Sequence, residues 1–227
     1  MRPVEKGAPP APAYGSYGDA IADLEHRLGR YCSYCERRLE THLAVEHVQP
    51  KSLAPELALA WSNFMLACVN CNSCKGAAAI HVPDYLWPDL DNTLRGLRYR
   101  VGGVVDVDAT TPAPLQAKAT ASRLLFGLDR VPGATTPPSD SDLRWNRRRE
   151  VWAKAALALD RLVQSDSIAL REQIADTAQE SGMFSIWWEV FASDGDMRRR
   201  FGLAFAGTCP NSFDDGGNLR PRPGGQL

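Results

Sequence analysis

Apolar and polar positions change period several times along the chain, and each change predicts an element. Ile21, Leu24 and Leu28 recur at helical spacing. Ser16, with Asp19 three positions on, has the form of a capping box, and Gly29 supplies a stop, so one amphipathic helix is expected between them. Leu43, Val45 and His47 then alternate with Ala44, Glu46 and Val48, the period of a strand, and Pro50 ends it. Leu53 to Ala60 has room for one or two helical turns. The apolar run Phe64-Met65-Leu66-Ala67-Cys68 predicts a second, buried strand, and the residues from Cys71 to Ala79 open a helix. The predicted order is strand, strand, helix.

Residues 81–93 are rich in Pro and Asp and read as an ordered loop, and Leu97 to Val107 predicts a hairpin about Gly102-Gly103. Past a Pro- and Ser-rich linker at 131–141, Trp145, Trp152, Ala156, Leu159 and Val163 form the apolar stripe of a long helix, and Ile168 to Ala178 and Phe184 to Phe191 suggest two more. The expected fold class is α+β, a small strand-strand-helix core with a mostly helical C-terminal part. The expected divisions are an extended N-terminal arm at 1–15, a domain at 16–130 that includes the hairpin, the linker at 131–141, a helical domain at 142–213 and a flexible tail at 214–227.

Composition narrows this picture. The 227 residues are 44% hydrophobic and 23% charged, values of an ordinary globular chain. No apolar run approaches the roughly 18 residues of a membrane span, and MRPVEKGAPPAPAYG lacks the apolar core of a signal peptide. Six cysteines, four of them in two C-x-x-C pairs, fit a reducing compartment, so a cytoplasmic location is expected. A net charge of −1 does not fit a protein that coats nucleic acid by bulk electrostatics.

The two pairs, Cys32/Cys35 and Cys68/Cys71, frame the most informative stretch. Each tight knuckle turns both sulfurs the same way, so together they present four thiolates to one ion, and tetrahedral Zn²⁺ is the natural occupant. Buried or disulfide-paired cysteines are the alternative. A four-thiolate site leaves no open position for water, so this zinc is expected to be structural. Cys74 is read as a reduced bystander.

Chemistry must therefore come from the polar residues between and beside the knuckles. Phosphodiester hydrolysis needs a base for water and a divalent cation for the phosphate and leaving oxygen, and Glu46, His47 and Asn72 are the candidates. A regular strand points Glu46 and His47 to opposite faces, so both reach one site only where the strand twists or ends, as it does before Pro50. Lys75, one turn after Asn72, is a candidate phosphate contact, against a solvated lysine. Arg147, Arg148 and Arg149, and Arg198 to Arg200, are the densest basic runs. They are read as nucleic-acid contact or as solvated surface, and Arg147 and Arg148 are the contact candidates. His26 and His81 have no ligand spacing, and His42 differs only in lying near the block. Trp187-Trp188 and Phe201 to Phe205 read as helical core or as a partner surface.

The motifs LAVEHVQPKS, WSNFMLAC and CVNCNSCKG, in that order around the four cysteines, resemble the HNH endonucleases over about residues 31–76. The resemblance implies a ββα-metal core braced by zinc. It makes His47 the general base, Glu46 and Asn72 the ligands of a catalytic Mg²⁺ or Mn²⁺, and Asn63 the residue that orients the loop and the base. It also implies a DNA substrate and no small-molecule cofactor. Phe205-Ala-Gly-Thr followed by Phe213 resembles the tail of a bacterial HNH group found beside ATPase genes in anti-phage defence systems of the Septu kind, which implies an ATPase partner. A zinc-knuckle module that binds nucleic acid or protein and cuts nothing is the alternative. The set Glu46, His47, Asn63 and Asn72 favours the enzyme, and near-neutral charge disfavours a restriction enzyme acting alone.

Overall fold

A computed structural model describes residues 1–10, 13–41 and 43–227, so the expectation for His42 and part of the predicted arm lie outside the described residues. Ser16 caps a short 3-10 turn, Tyr17–Ala20. Its backbone N–H donates to Asp19 at 2.8 Å, and its hydroxyl accepts from Gly18 at 3.2 Å. The turn runs into α1 (Ile21–Leu28), which buries Leu24 and Leu28, and Gly29 at φ 72° ends it.

The strand-strand-helix core follows. β1 (Leu43–His47) pairs antiparallel with β2 (Phe64–Cys68), with Leu43 opposite Cys68 and His47 opposite Phe64. All five β2 residues are buried, as their unbroken apolar run requires. α2 (Val69–Lys75) begins directly after β2, two residues before the predicted start, because Cys68 is itself the cap: its sulfur accepts from the Cys71 N–H at 3.5 Å. It ends at Gly76, φ 53°, and does not run on to Ala79.

β3 (Leu97–Arg100) and β4 (Val104–Val107) form the predicted hairpin. Gly103 is required there twice over. Its φ is 79°, and a Cβ on it would sit 2.3 Å from the Trp145 carbonyl oxygen. α3 (Ala113–Leu125) went unpredicted because its buried positions are Ala119 and Ser122, which leave little apolar signal. α4 (Arg144–Gln164), α5 (Ile168–Ser181), α6 (Phe184–Val190) and α7 (Gly195–Ala204) complete the helical C-terminal part.

The predicted divisions need correction in packing terms. The first residues are no solvated arm: Arg2 is buried, its guanidinium donating to the carbonyls of Leu28, Phe205 and Ala206 at 2.8, 3.0 and 2.6 Å, and Val4 bridges to Thr208. Four acceptors, three carbonyls and the Thr208 hydroxyl, converge on the guanidinium fork and replace its solvent. The tail is also packed. Asn92 donates its N–H to the Leu227 carbonyl, and Arg222 donates to the carbonyls of Val4 and Pro88. One buried cluster joins Phe64 and Leu66 of the core to Trp187, Trp188 and Phe201, so segment 131–141 is a boundary in sequence and not in the core. Trp187 and Trp188 are 0% and 1% exposed, which makes them interior and removes them as a docking surface. No helix among the described residues is long and apolar enough to cross a membrane.

Candidate functional site

Two local turns bring the four cysteines together. In the first knuckle the Cys32 N–H bonds the Arg37 carbonyl, the Glu36 N–H bonds the Cys32 carbonyl, and Glu36 closes the turn at φ 61°. In the second, Cys68 ends β2 and Cys71 lies in the first turn of α2. All four sulfurs are buried within 4.8 Å of one another, and Cys35 Sγ lies 3.7 Å from Cys68 Sγ. A tetrahedral ion with bonds of about 2.3 Å to sulfur needs sulfurs about 3.8 Å apart, so the cluster fits a four-thiolate metal site. Without a cation the four cannot ionise together. Hydrogen bonds from Cys32, Cys35 and Cys71 hold Cys68 well below the usual thiol range, while burial pushes the Cys71 thiol up. Arg144, at the start of α4, adds a positive charge at this cluster. Its Nη1 lies 3.1 Å from Cys71 Sγ and its Nη2 3.5 Å from Cys74 Sγ, and Asp142 pairs with the guanidinium at 2.7 Å.

Beside this cluster, β1, the turn after it and α2 enclose an open cleft of about 270 Å³ whose walls include Glu46, His47, Lys51, Asn72 and Lys75. Glu46 and His47 leave the strand on alternate sides, as the pleat demands, yet both border the cleft because β1 ends at His47. The half-buried His47 ring stands between Phe64, at 5.3 Å and 89°, and Tyr17, at 5.2 Å and 71°. His47 Nε2 lies 3.0 Å from the Ala58 carbonyl oxygen. A carbonyl only accepts, so Nε2 carries the proton and Nδ1 of the neutral ring holds the free lone pair.

Asn63, 4% exposed, fixes the loop that carries Ala58. Its Oδ1 accepts from the Gln49 N–H at 2.8 Å, and its Nδ2 donates to the carbonyls of Gln49 and Leu57 at 2.9 and 3.2 Å. Asn72 is exposed on α2 at the cleft wall. Glu46 is buried, with Oε1 2.7 Å from Lys75 Nζ and Oε2 accepting from the Tyr34 hydroxyl at 2.5 Å. Burial, and next the Glu46 charge, hold the Tyr34 hydroxyl well above its usual range, so it stays a donor.

Residues 32–78 match the family model described as HNH endonuclease. This segment is an HNH endonuclease domain. A stretch of 48 residues is also 42% identical to the Septu protein PtuB of Bacillus thuringiensis and covers 20% of this chain and 19% of that protein. The chain therefore aligns with about a fifth of the length of this curated relative.

Within the HNH domain, Glu46, His47, Asn72 and Lys75 meet at one cleft, and Asn63 lies behind it, tied to the loop. Three predicted nucleic-acid contacts stand differently. Lys75 is 3% exposed, and its ammonium is taken up by Glu46 and by the His47 carbonyl at 2.7 Å. Arg148 is 1% exposed and donates to the carbonyls of Gly103 and Leu128, and burial lowers its guanidinium below the usual range. Neither is free for a phosphate. Arg147 is half-buried beside Glu150 and does not line the cleft. Arg199 and Arg200 pair with Asp196, and Arg198 lies over the Trp188 ring at 4.6 Å.

Four contributors escaped the sequence reading: Tyr17, Tyr34, Lys51 and Arg144. Tyr17 and Arg144 lie outside residues 32–78 and reach the HNH domain only through tertiary contacts. For Lys51, the signal was its place in the motif LAVEHVQPKS.

Proposed function

We propose that this chain is a metal-dependent HNH endonuclease that hydrolyses phosphodiester bonds in DNA, with His47 as general base. It is read as the cytoplasmic effector subunit of a bacterial anti-phage complex directed by an ATPase partner. The observation that carries the catalytic reading is the tautomer of His47. The Ala58 carbonyl holds Nε2–H, and the Nδ1 lone pair of a ring clamped between Phe64 and Tyr17 remains to take a proton.

Cys32, Cys35, Cys68 and Cys71 hold a structural Zn²⁺ in this reading, supported by their sulfur spacing. Glu46 and Asn72 supply oxygen donors at the cleft. Each Glu46 oxygen keeps a lone pair beyond its bond to Lys75 or Tyr34, so the donor set suits Mg²⁺ or Mn²⁺ held by few protein oxygens. When bound, that ion supplies charge neutralisation at the phosphate and the leaving oxygen. His47 Nδ1 removes a proton from water as the water oxygen bonds to phosphorus and the scissile P–O bond breaks. Asn63 keeps the Ala58 carbonyl, and through it His47, in place.

The subunit reading is supported by the net charge of −1 and by the partial likeness to the Septu protein PtuB. The test is plasmid cleavage with Mg²⁺ or Mn²⁺ at about 150 mM salt, with and without the product of a neighbouring ATPase gene. His47→Ala should lose about 10²–10⁴-fold in rate with fold and zinc content unchanged. Cutting at the parent rate by His47→Ala refutes the mechanism, and full activity of the chain alone with no co-purifying partner refutes the subunit role.

A further inference from the structure

The cleft holds two lysines, and they differ in electrostatic state. Lys75 is buried and neutralised by Glu46. Lys51, in the turn closed by the bonds of Leu53 and Ala54 to the Pro50 carbonyl, is exposed, and among the described residues no carboxylate lies within 4.0 Å of it. Its ammonium stands over the face of Tyr17, 4.2 Å from the ring centre. An aromatic face attracts a cation without neutralising it, so Lys51 is held at the rim with its charge available. Tyr17 meets the His47 ring at 5.2 Å, which couples the position of the ammonium to that of the base. The turn that carries Tyr17 is fixed by the reciprocal bonds of Ser16 and Asp19, in a segment that precedes the HNH domain.

We infer that Tyr17 and Lys51 form a phosphate-holding arm of the cleft, in which Lys51 binds a backbone phosphate of the DNA and Tyr17 positions both Lys51 and His47. This inference rests on the reading of the cleft as a phosphodiester site. The arm supplies what Lys75 and Arg148 cannot, a cation that faces solvent beside the base. Tyr17 is a positioning residue: its ring, and not its hydroxyl, makes both contacts.

Binding of a short DNA duplex to the full-length His47→Ala protein, titrated from about 50 to 200 mM salt, separates this arm from catalysis. Lys51→Met should weaken binding and lower the slope of log affinity against log salt by about 0.9, the value of one phosphate contact. Lys51→Arg should restore the slope. Tyr17→Phe, which keeps the ring, should match the parent, and Tyr17→Ala should behave as Lys51→Met. In the His47-intact protein Tyr17→Ala should also lower kcat, because the imidazole loses one wall of its slot. An unchanged slope in Lys51→Met, or no duplex binding by the parent at about 50 mM salt, overturns the arm. A Lys51-dependent slope in a chain that does not cut even with the ATPase partner present leaves the arm standing and overturns the endonuclease reading.

Discussion

Replacing Lys75 by Met tests whether the cleft's second lysine is structural. Its ammonium and the Glu46 carboxylate are 1% and 2% exposed and 2.7 Å apart, and the same ammonium donates to the His47 carbonyl. Met keeps most of the side-chain volume but leaves the Glu46 charge buried with only the Tyr34 hydroxyl against it. Breaking a buried pair from one side costs about 3–5 kcal/mol, most of it the penalty of the charge left behind. Against a typical stability of about 5–15 kcal/mol, that is a large share. Glu46→Gln should cost a similar amount from the other side. The double variant Glu46→Gln/Lys75→Met buries no lone charge, so it should be more stable than the sum of the single losses by about 2 kcal/mol, within the range of couplings between contacting residues. Urea unfolding followed by tryptophan fluorescence at fixed free Zn²⁺ gives all four corners of the cycle. Lys75→Met within about 1 kcal/mol of the parent, with additive losses, would refute the argument. If that variant instead kept its stability and lost about 0.9 in the salt slope of DNA binding, Lys75 would be a phosphate contact after all.

Cys35→Ser or Cys71→Ser should lose both zinc and fold, since metal binding and folding are coupled in such a site; elemental analysis and circular dichroism check this, and a folded, active parent without zinc contradicts it. Asp142→Asn should weaken the protein at neutral pH and less so in acid. Burial alone would raise the Asp142 carboxyl, but the Arg144 bonds and charge outweigh it and hold the group below its usual range. A depressed folded value stabilises above the unfolded pKa of about 3.9 and is lost as pH falls through the folded value. The urea midpoints of variant and parent should therefore converge below about pH 4, and a constant gap from pH 7 to 3 argues against the pairing.

The core was legible because its signals are local. The alternation from Leu43 to Val48, the apolar run from Phe64 to Cys68 and the two knuckles each specify their own geometry within a few residues, and the structure follows them. The capping box at Ser16 and the Gly-Gly hairpin are legible for the same reason. What failed depends on distant partners. A charged residue such as Arg2, Lys75 or Arg148 looks solvated in sequence, and only the fold brings carbonyls or Glu46 to meet it. The segments at 1–15 and 214–227 have loop composition, yet their carbonyls and side chains find partners in each other and in the loop around Asn92. The chemical candidates at 46, 47 and 72 were findable because residue type and spacing announce them. The partners of Glu46, Tyr34 and Lys75, belong to other turns of the chain.

The distribution of charge gives the directed-subunit reading its physical basis. Among the described residues five cations, Arg2, Lys6, Lys75, Arg144 and Arg148, and five anions, Glu36, Glu46, Asp91, Asp108 and Asp142, are buried. Burial thus removes both signs equally, and the surface keeps the net charge of −1 of the whole chain. A net charge of −1 gives no overall pull on a polyanion, and unaided affinity then depends on the phosphates that individual side chains neutralise. The basic runs do not supply them at the cleft: Arg148 is interior, Arg199 and Arg200 share the Asp196 carboxylate, and none of the six arginines lines the cleft. At the cleft the remaining contribution is Lys51. In the proposed reading, this one contact sets a phosphate beside His47 without holding a duplex at physiological salt, and the proposed partner supplies the retention of DNA. Under that proposal, the division of labour would let the chain cut only when a partner presents a strand.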